Sequence, residues 1–243
     1  MLPLIYINLQ RDAERHRRMQ SEFSRLGLHA DRQEAVLWTA LSPAEQARLY
    51  SEELNKRQFH KTLSNGEKGC YASHLQAWKD LIDSTHEALV VLEDDVRLEP
   101  QFAEVITAIG SLPRGWDMIK LIGHLDARSA PSRQGRAQPL CPGYQLVEYK
   151  RVPSLTAGYV ISRAGAAKLL QGRIPFGRPI DVDLRHWWET ELCIQGVSPA
   201  AIALDETSEQ SSIGAKTPDT LAMTWRKFRR KARYTLLNYW HRR

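Results

Sequence analysis

Apolar residues along the 243-residue chain fall into two alternating rhythms, short continuous runs and longer stretches with helical spacing. The run Leu4-Ile5-Tyr6-Ile7 predicts a first strand, with Asn8 to Arg11 as the loop that follows. From Asp12 to Leu26 the spacing puts Met19, Phe23 and Leu26 on one helical face, and Gly27 stops the helix. Two capping boxes, Ser42-Pro43-Ala44-Glu45 and Ser64-Asn65-Gly66-Glu67, open further helices. In each, serine and glutamate side chains satisfy two backbone N–H groups that the first turn leaves free. The second box leads through Cys70, Ser73, His74 and Trp78 into the strand Ala88 to Leu92. A helix from Pro100 to about Ile109, a strand at Met118–Ile122 and a Ser/Arg/Pro/Gly-rich loop from about His124 to Gly143 are expected next. Ser154 to Ser162 reads as a strand whose small residues allow close backbone approach, and Arg163 to Leu170 as the helix after it. Pro179-Ile180-Asp181-Val182-Asp183 then precedes a helix holding Trp187 and Trp188.

Strand-type runs alternating with helical patterns predict an α/β fold, a mostly parallel central sheet flanked by helices. One main domain over residues 1–220 is expected, followed by a distinct tail over residues 221–243. No internal repeat is visible.

Within this pattern Ala88-Leu89-Val90-Val91-Leu92 ends abruptly in Glu93-Asp94-Asp95. Three adjacent carboxylates at the end of a buried strand repel one another unless a cation, a cationic substrate or shared protons neutralise them. In open α/β sheets ligands gather at the carboxyl ends of strands, so a divalent metal held against nucleotide phosphates is the working reading. The plainer alternative is that acids end strands because they favour solvated turns. No Gly-rich phosphate loop occurs, so any bound diphosphate must be neutralised by a metal and side chains. Asn8 and Arg11 stand at the end of the first strand, where they can meet phosphate. Arg15 and Arg18 read more readily than Arg11 as a solvated helix face.

Charge and cysteine content narrow the reading. The formal net charge is +6, but Trp225 to Arg243 holds eight Lys/Arg and no acid, leaving 26 basic against 28 acidic residues elsewhere. On a helix, Trp225, Phe228, Ala232, Leu236, Tyr239 and Trp240 share a face flanked by Arg226, Lys227, Arg230, Lys231 and Arg233. That pattern suits an anionic membrane surface; a solvated helix packing Trp225 and Phe228 on its own domain is the alternative. Nucleic acid is not expected as a partner, because no recognised nucleic-acid module accompanies the basic run. Cys70, Cys141 and Cys193 lack metal-ligand spacing and predict reduced thiols. The N-terminus has no basic region before its short apolar run, and no apolar stretch is long enough to span a bilayer. A cytoplasmic protein, peripheral at the inner face of the membrane, is expected.

Several of these segments, in order, carry a resemblance. They are Ile5-Tyr6-Ile7-Asn8-Leu9 with Arg11, Gly66 to His74 followed by Trp78, Leu92-Glu93-Asp94-Asp95-Val96, Thr156 to Ser162, and Pro179-Ile180-Asp181. Over roughly residues 4–205 the chain resembles the family 25 glycosyltransferases, which include lipopolysaccharide and lipooligosaccharide galactosyltransferases and are related to collagen galactosyltransferases. The resemblance implies a GT-A-like nucleotide-sugar fold in which Glu93-Asp94-Asp95 stands for the Asp-x-Asp metal motif. Asp95, with Glu93, would hold Mn²⁺ or Mg²⁺, and Glu93 has the reach to contact ribose or sugar instead. Asn8, Arg11, His74, Glu93, Asp94 and Gly158 would form the nucleotide-sugar site.

The implied reaction is inverting transfer of a hexose, galactose by resemblance, from a UDP-sugar to a saccharide acceptor of a cell-surface glycan, lipid-linked in view of the basic tail. One carboxylate must act as base on the acceptor hydroxyl. Asp181 is the first candidate, with Glu67, Asp183 and Glu189 as rivals. Trp187 or Trp188 can stack on an acceptor sugar, though packing is the plainer role for each. The competing readings are a metal-dependent nucleotide-sugar hydrolase and a noncatalytic membrane or nucleic-acid binder.

Overall fold

A computed structural model describes residues 1–123, 133–205 and 221–242. In chain order the elements are β1 (Leu4–Asn8), α1 (Ala13–Arg25), β2 (Asp31–Glu34), α2 (Pro43–Leu49), α3 (Glu52–Gln58), α4 (Asn65–Asp83), β3 (Ala88–Glu93), β4 (Val96–Leu98), α5 (Phe102–Gly110) and β5 (Met118–Lys120). There follow β6 (Gln134–Cys141), β7 (Tyr144–Tyr149), β8 (Gly158–Ser162), α6 (Arg163–Gly172), α7 (Ile180–Asp183), β9 (Ile194–Ser198), β10 (Ile202–Leu204) and α8 (Leu221–Trp240). Short 3-10 turns occupy Trp38–Ala40 and Trp187–Glu189.

Eight strands form one sheet in the order β2-β1-β3-β8-β5-β9-β7-β6. The pairings β2/β1, β1/β3 and β5/β9 are parallel, while β8 and β7 run against their neighbours. Six strands therefore point one way, and the architecture is α/β with a mixed central sheet flanked by helices. The reversal at β8 matters for the site. Leu92 of β3 faces Gly158 at the start of β8, and Glu93 N donates to Ala157 O at 2.8 Å. The carboxyl end of β3 and the entry to β8 thus share one edge.

Strand alternation splits the core into two layers. Tyr6 packs with Met19 and Phe23 of α1 on one side, while Ile7 joins Trp78, Tyr71 and Leu75 of α4 on the other. Trp78 and Tyr71 are fully enclosed. Truncating a ring of this kind to alanine costs about 3–5 kcal/mol. Both capping boxes form as expected, at Ser42/Glu45 and Ser64/Glu67.

The structure corrects several sequence expectations. The expected loop from His124 to Gly143 includes β6, which pairs antiparallel with β7; residues 124–132 lie outside the described residues. The chain does not abandon the core after the acidic triplet, because Val96 and Leu98 of β4 are buried and pair with β10. The anticipated helix around Trp187 and Trp188 is instead the four-residue α7 and a 3-10 turn.

In α8, one face docks on the body. Tyr234 and Asn238 are buried, Trp187 Nε1 donates to Asn238 Oδ1 at 3.2 Å, and Asn238 Nδ2 donates to Lys150 O at 2.9 Å. The apolar face anticipated from sequence points outward, with Trp225, Phe228, Leu236, Tyr239 and Trp240 each 59–72% exposed. No helix among the described residues is long and apolar enough to cross a membrane.

Candidate active site at the carboxyl edge of the sheet

Two cavities, each of about 390 Å³, meet at the carboxyl edge. The first lies between β1, the chain after β2 and the start of α4, and is lined by Asn8, Arg11, Arg15, Leu37, Trp38 and His74 among others. The second lies between α4, the approach to β8 and α7, and includes Phe59, Glu67, Thr156 and Asp181. Cys70, Glu93 and Asp95 border both. Glu93 and Asp95 therefore stand between the two cavities, while Asp94 lines the first alone.

The three acids have different surroundings. Asp94 is buried and saturated: Asn8 Nδ2 donates to Oδ2 at 2.6 Å, Arg15 Nη1 donates to Oδ1 at 2.8 Å, and Arg18 Nη2 donates to its backbone oxygen at 2.6 Å. Arg18 also pairs with Asp205. The solvated reading of Arg15 and Arg18 is thus replaced by a pairing role. Helix spacing carried the signal, since Arg15 and Arg18, three apart on α1, share one face toward the acidic triplet. Arg11 is exposed, 4.0 Å from Asp12, on the rim of the first cavity.

Glu93 receives the Thr156 hydroxyl on Oε1 at 2.6 Å and lies 3.4 Å from His74 Nε2. Burial alone pushes its pKa up, but the His74 ring, the Thr156 bond and Lys120 together hold it below the ordinary glutamate value. Asp95 has no such support. Its Oδ1 is buried without a hydrogen-bond partner among the described residues. Burial, with repulsion from Glu93 and Asp94, pushes its pKa to about 6 against the pull of Arg15. A buried, unpartnered carboxylate oxygen is the donor that a hard cation such as Mn²⁺ or Mg²⁺ requires, so the residues fit the implied metal. Cys70, His74 and Glu93 also bring one potential ligand atom each to within 4.8 Å of one another.

Across the second cavity, Asp181 makes no ion pair among the described residues, and burial pushes its pKa to about 6. Beneath it Lys120 is fully enclosed. Its Nζ donates to Pro153 O at 2.9 Å, and burial pushes its pKa to about 7 against the attraction of Asp181 and Glu93. The rivals of Asp181 are otherwise engaged. Asp183 accepts from Tyr71 OH at 2.5 Å and pairs with Arg178 at 2.6 Å, both partners buried. Glu189 pairs with Arg173 at 2.5 Å and with Arg178, and these arginines outweigh burial and hold its pKa at about 2. This network anchors α7 and so aims Asp181. Glu67 lines the second cavity, but Oε2 caps α4 through Ser64 N at 2.7 Å and Oε1 lies 3.1 Å from Lys61.

Gly158 does not line either cavity. A Cβ there would stand 2.3 Å from Ile202 Cδ1 and 2.9 Å from Leu92 Cδ2, so the glycine lets β10 close over the sheet rather than admitting a ligand. Sequence reasoning missed Lys120, Thr156, Cys70 and Tyr159. A lysine inside an otherwise apolar strand was the available signal for the first. The others sat in the matched segments without a feature to single them out.

A mixed α/β sheet with acids and two cavities at its carboxyl edge defines an α/β protein built to bind ligands at the strand ends. The chain belongs to glycosyltransferase family 25: the family model described as "Glycosyltransferase family 25 (LPS biosynthesis protein)" matches residues 1–184. Human procollagen galactosyltransferase 2 is 33% identical over 187 residues, covering 74% of this chain and 29% of the relative. A Drosophila melanogaster glycosyltransferase 25 family member is 29% identical over 187 residues, with the same coverages. Rat probable inactive glycosyltransferase 25 family member 3 is 29% identical over 184 residues, covering 73% of this chain and 31% of the relative. The chain therefore matches less than a third of the length of these relatives. A solved mannose-1-phosphate geranyltransferase from Thermus thermophilus aligns over 90% of this chain and 80% of its own at 13% identity and a TM-score of 0.44, a likeness that carries no argument.

Proposed function

We propose that the protein is an inverting, metal-dependent glycosyltransferase that moves galactose from UDP-galactose to a saccharide acceptor of a lipopolysaccharide, lipooligosaccharide or other cell-surface glycan. The observation that carries this reading is the Asp95 carboxylate between two cavities, its buried Oδ1 without a hydrogen-bond partner among the described residues, with Asp181 across the second. Galactose follows the names of the procollagen galactosyltransferase relatives, and the glycan class follows the family description. A nucleotide sugar would fill the first cavity, its base against Leu37 and Trp38 and its diphosphate near Arg11 and Arg15. Mn²⁺ or Mg²⁺ held by Asp95 and Glu93 would supply positive charge for the departing diphosphate. Asp181 takes the proton of the acceptor hydroxyl in the second cavity, and one base with no covalent intermediate gives inversion. The test is calorimetric titration of UDP with and without Mn²⁺, followed by transfer from UDP-galactose to a glycan acceptor. Absence of UDP binding with either ion, or turnover with water alone, would overturn the reading.

The acceptor is lipid-linked in this proposal, and α8 brings the enzyme to an anionic membrane, the inner face of the cytoplasmic membrane. Its docked face leaves five large apolar side chains exposed beside a basic surface, which supports interfacial seating. Because α8 also packs on the body, point variants test this better than truncation. Phe228→Glu and Leu236→Glu are each expected to weaken sedimentation with phosphatidylglycerol vesicles about tenfold, the loss of one buried apolar side chain. Activity on a soluble acceptor should stay at the parent level. Vesicle binding that ignores both substitutions would remove the membrane step.

A further inference from the structure

His74 lies in the middle of a hydrogen-bond chain whose direction is set by chemistry. An indole N–H can only donate, so Trp78 Nε1 gives its hydrogen to the Tyr159 oxygen at 2.9 Å. Tyr159 then has its own hydroxyl hydrogen to offer, and His74 Nδ1 stands 2.8 Å away. An Nδ1 that accepts leaves the ring proton on Nε2, which faces Glu93 Oε1 at 3.4 Å. The same Oε1 takes the Thr156 hydroxyl at 2.6 Å. Trp78, Tyr159 and His74 are 0–1% exposed, so water does not substitute for any link.

We propose that Trp78, Tyr159 and His74 form a one-way hydrogen-bond relay that positions Glu93, locking Oε1 inward and presenting Oε2 to the two cavities. His74 and Tyr159 are then positioning residues. Oε2 carries no hydrogen bond among the described residues, and the side chain remains 27% exposed on the wall shared by both cavities. With Oε1 held by the Thr156 hydroxyl and facing the His74 ring nitrogen, Oε2 is fixed toward the cavities, where it can meet the proposed metal or a hydroxyl of the sugar or ribose. That last role rests on the proposed glycosyl transfer; the relay itself does not.

The arrangement decides between two uses of the Cys70, His74 and Glu93 cluster. A metal on His74 Nε2 would put the ring proton on Nδ1, and Tyr159 would then accept from both Trp78 and His74 with its own hydroxyl hydrogen stranded in a dry core. With the relay, every hydrogen from Trp78 to Glu93 has an acceptor. Glu93 is faced by His74 and Cys70 from α4, Lys120 from β5, Thr156 before β8, Asp95, and Asp181 from α7. Of these, Lys120 and the His74 donor oppose protonation, while the two aspartates and burial favour it.

The experiment is imidazole nitrogen NMR on the full-length protein labelled in histidine, with His74→Gln used only to assign its signals. The expected result in the parent protein at mildly alkaline pH is a single tautomer with the proton on Nε2. Tyr159→Phe removes the donor to Nδ1 and leaves Glu93 facing Nε2, so the ring should keep its tautomer while the Nδ1 signal moves toward that of a free imine nitrogen. In galactosyl transfer the same variant is expected to lose about tenfold in kcat with KM for UDP-galactose little changed. A proton on Nδ1 in the parent protein, or an Nδ1 signal indifferent to Tyr159→Phe, would overturn the relay. A moved Nδ1 signal with kcat unchanged would overturn its action on Glu93. If the parent protein transfers no galactose, the tautomer still decides the relay, and only the transfer reading fails.

Discussion

Asp95→Asn is expected to yield a protein that is more stable than its parent at neutral pH and has lost Mn²⁺-dependent UDP binding. The two effects share one cause. In the folded chain the Asp95 carboxylate is desolvated and repelled by Glu93 and Asp94, which raises its pKa from 3.8 to about 6. A folded pKa above the unfolded one means the native state binds the extra proton between those values, so stability falls as pH rises through that window. The penalty is absent below about pH 4 and complete above about pH 6, where it amounts to about 3 kcal/mol. Removing the charge should therefore raise Tm by roughly 5 °C at neutral pH and leave it unchanged in acid. The same charge is what a divalent cation needs, and losing one stabiliser of the leaving diphosphate should lower kcat about 10³-fold. Thermal melts at the two pH values and UDP titrations with and without Mn²⁺ check both halves. An Asp95→Asn variant that melts lower than the parent at neutral pH, or that retains metal-dependent UDP binding, would sink the assignment.

The three acids after β3 show how one sequence motif is divided into separate roles by its surroundings. Asp94 is consumed by Asn8 and Arg15, so it orders the first cavity and aims Arg15 rather than awaiting a ligand. Glu93 is anchored through one oxygen only. Asp95 has Oδ1 buried without a hydrogen-bond partner among the described residues, the oxygen from which the proposed metal would be held.

How far the sequence could be read follows from where each signal resides. The apolar runs of β1, β3, β5 and β8 and the capped starts of α2 and α4 were legible because burial and capping act locally. Strand β2, with sequence Asp31-Arg32-Gln33-Glu34, has no apolar alternation; it is held at the sheet edge by pairing with β1 and by Gln33 Nε2, which donates to Ser73 O at 2.8 Å. The short strands β4 and β10 stabilise each other across about a hundred residues of chain, a partnership no window shows. At the site, the acidic triplet stood out by type and position, and Asp181 only through the matched segment Pro179-Ile180-Asp181. Glu67 and Gly158 were equally visible, yet the structure ties both oxygens of Glu67 to the cap and Lys61, and fills the space over Gly158 with Ile202. Composition reveals which residues can do chemistry; partners decide which are free to.

Asp181→Asn is expected to lower kcat by roughly 10²–10⁴-fold, the range for losing a general base, with UDP affinity in the presence of Mn²⁺ unchanged. Affinity should survive because Asp181 lines the second cavity and not the first. The parent's kcat should rise with pH through about 6, since a base works only when deprotonated and burial holds the Asp181 pKa there. Asp95 has the same raised value, but a metal held there would fix that carboxylate in its ionised form, so at saturating Mn²⁺ the remaining acid limb is expected from Asp181. Lys120 offers an independent check. Its ammonium lowers the pKa of Asp181 from beneath, so Lys120→Met, close in length and apolar in an enclosed site, should move the acid limb to higher pH and leave the residual rate of Asp181→Asn without that limb. If Asp181→Asn keeps kcat within a few-fold of the parent, or if the acid limb persists in it unchanged, the base lies elsewhere. Glu67, the remaining carboxylate on that cavity without a buried arginine partner, would then be next, despite its hydrogen bond to Ser64 and its contact with Lys61.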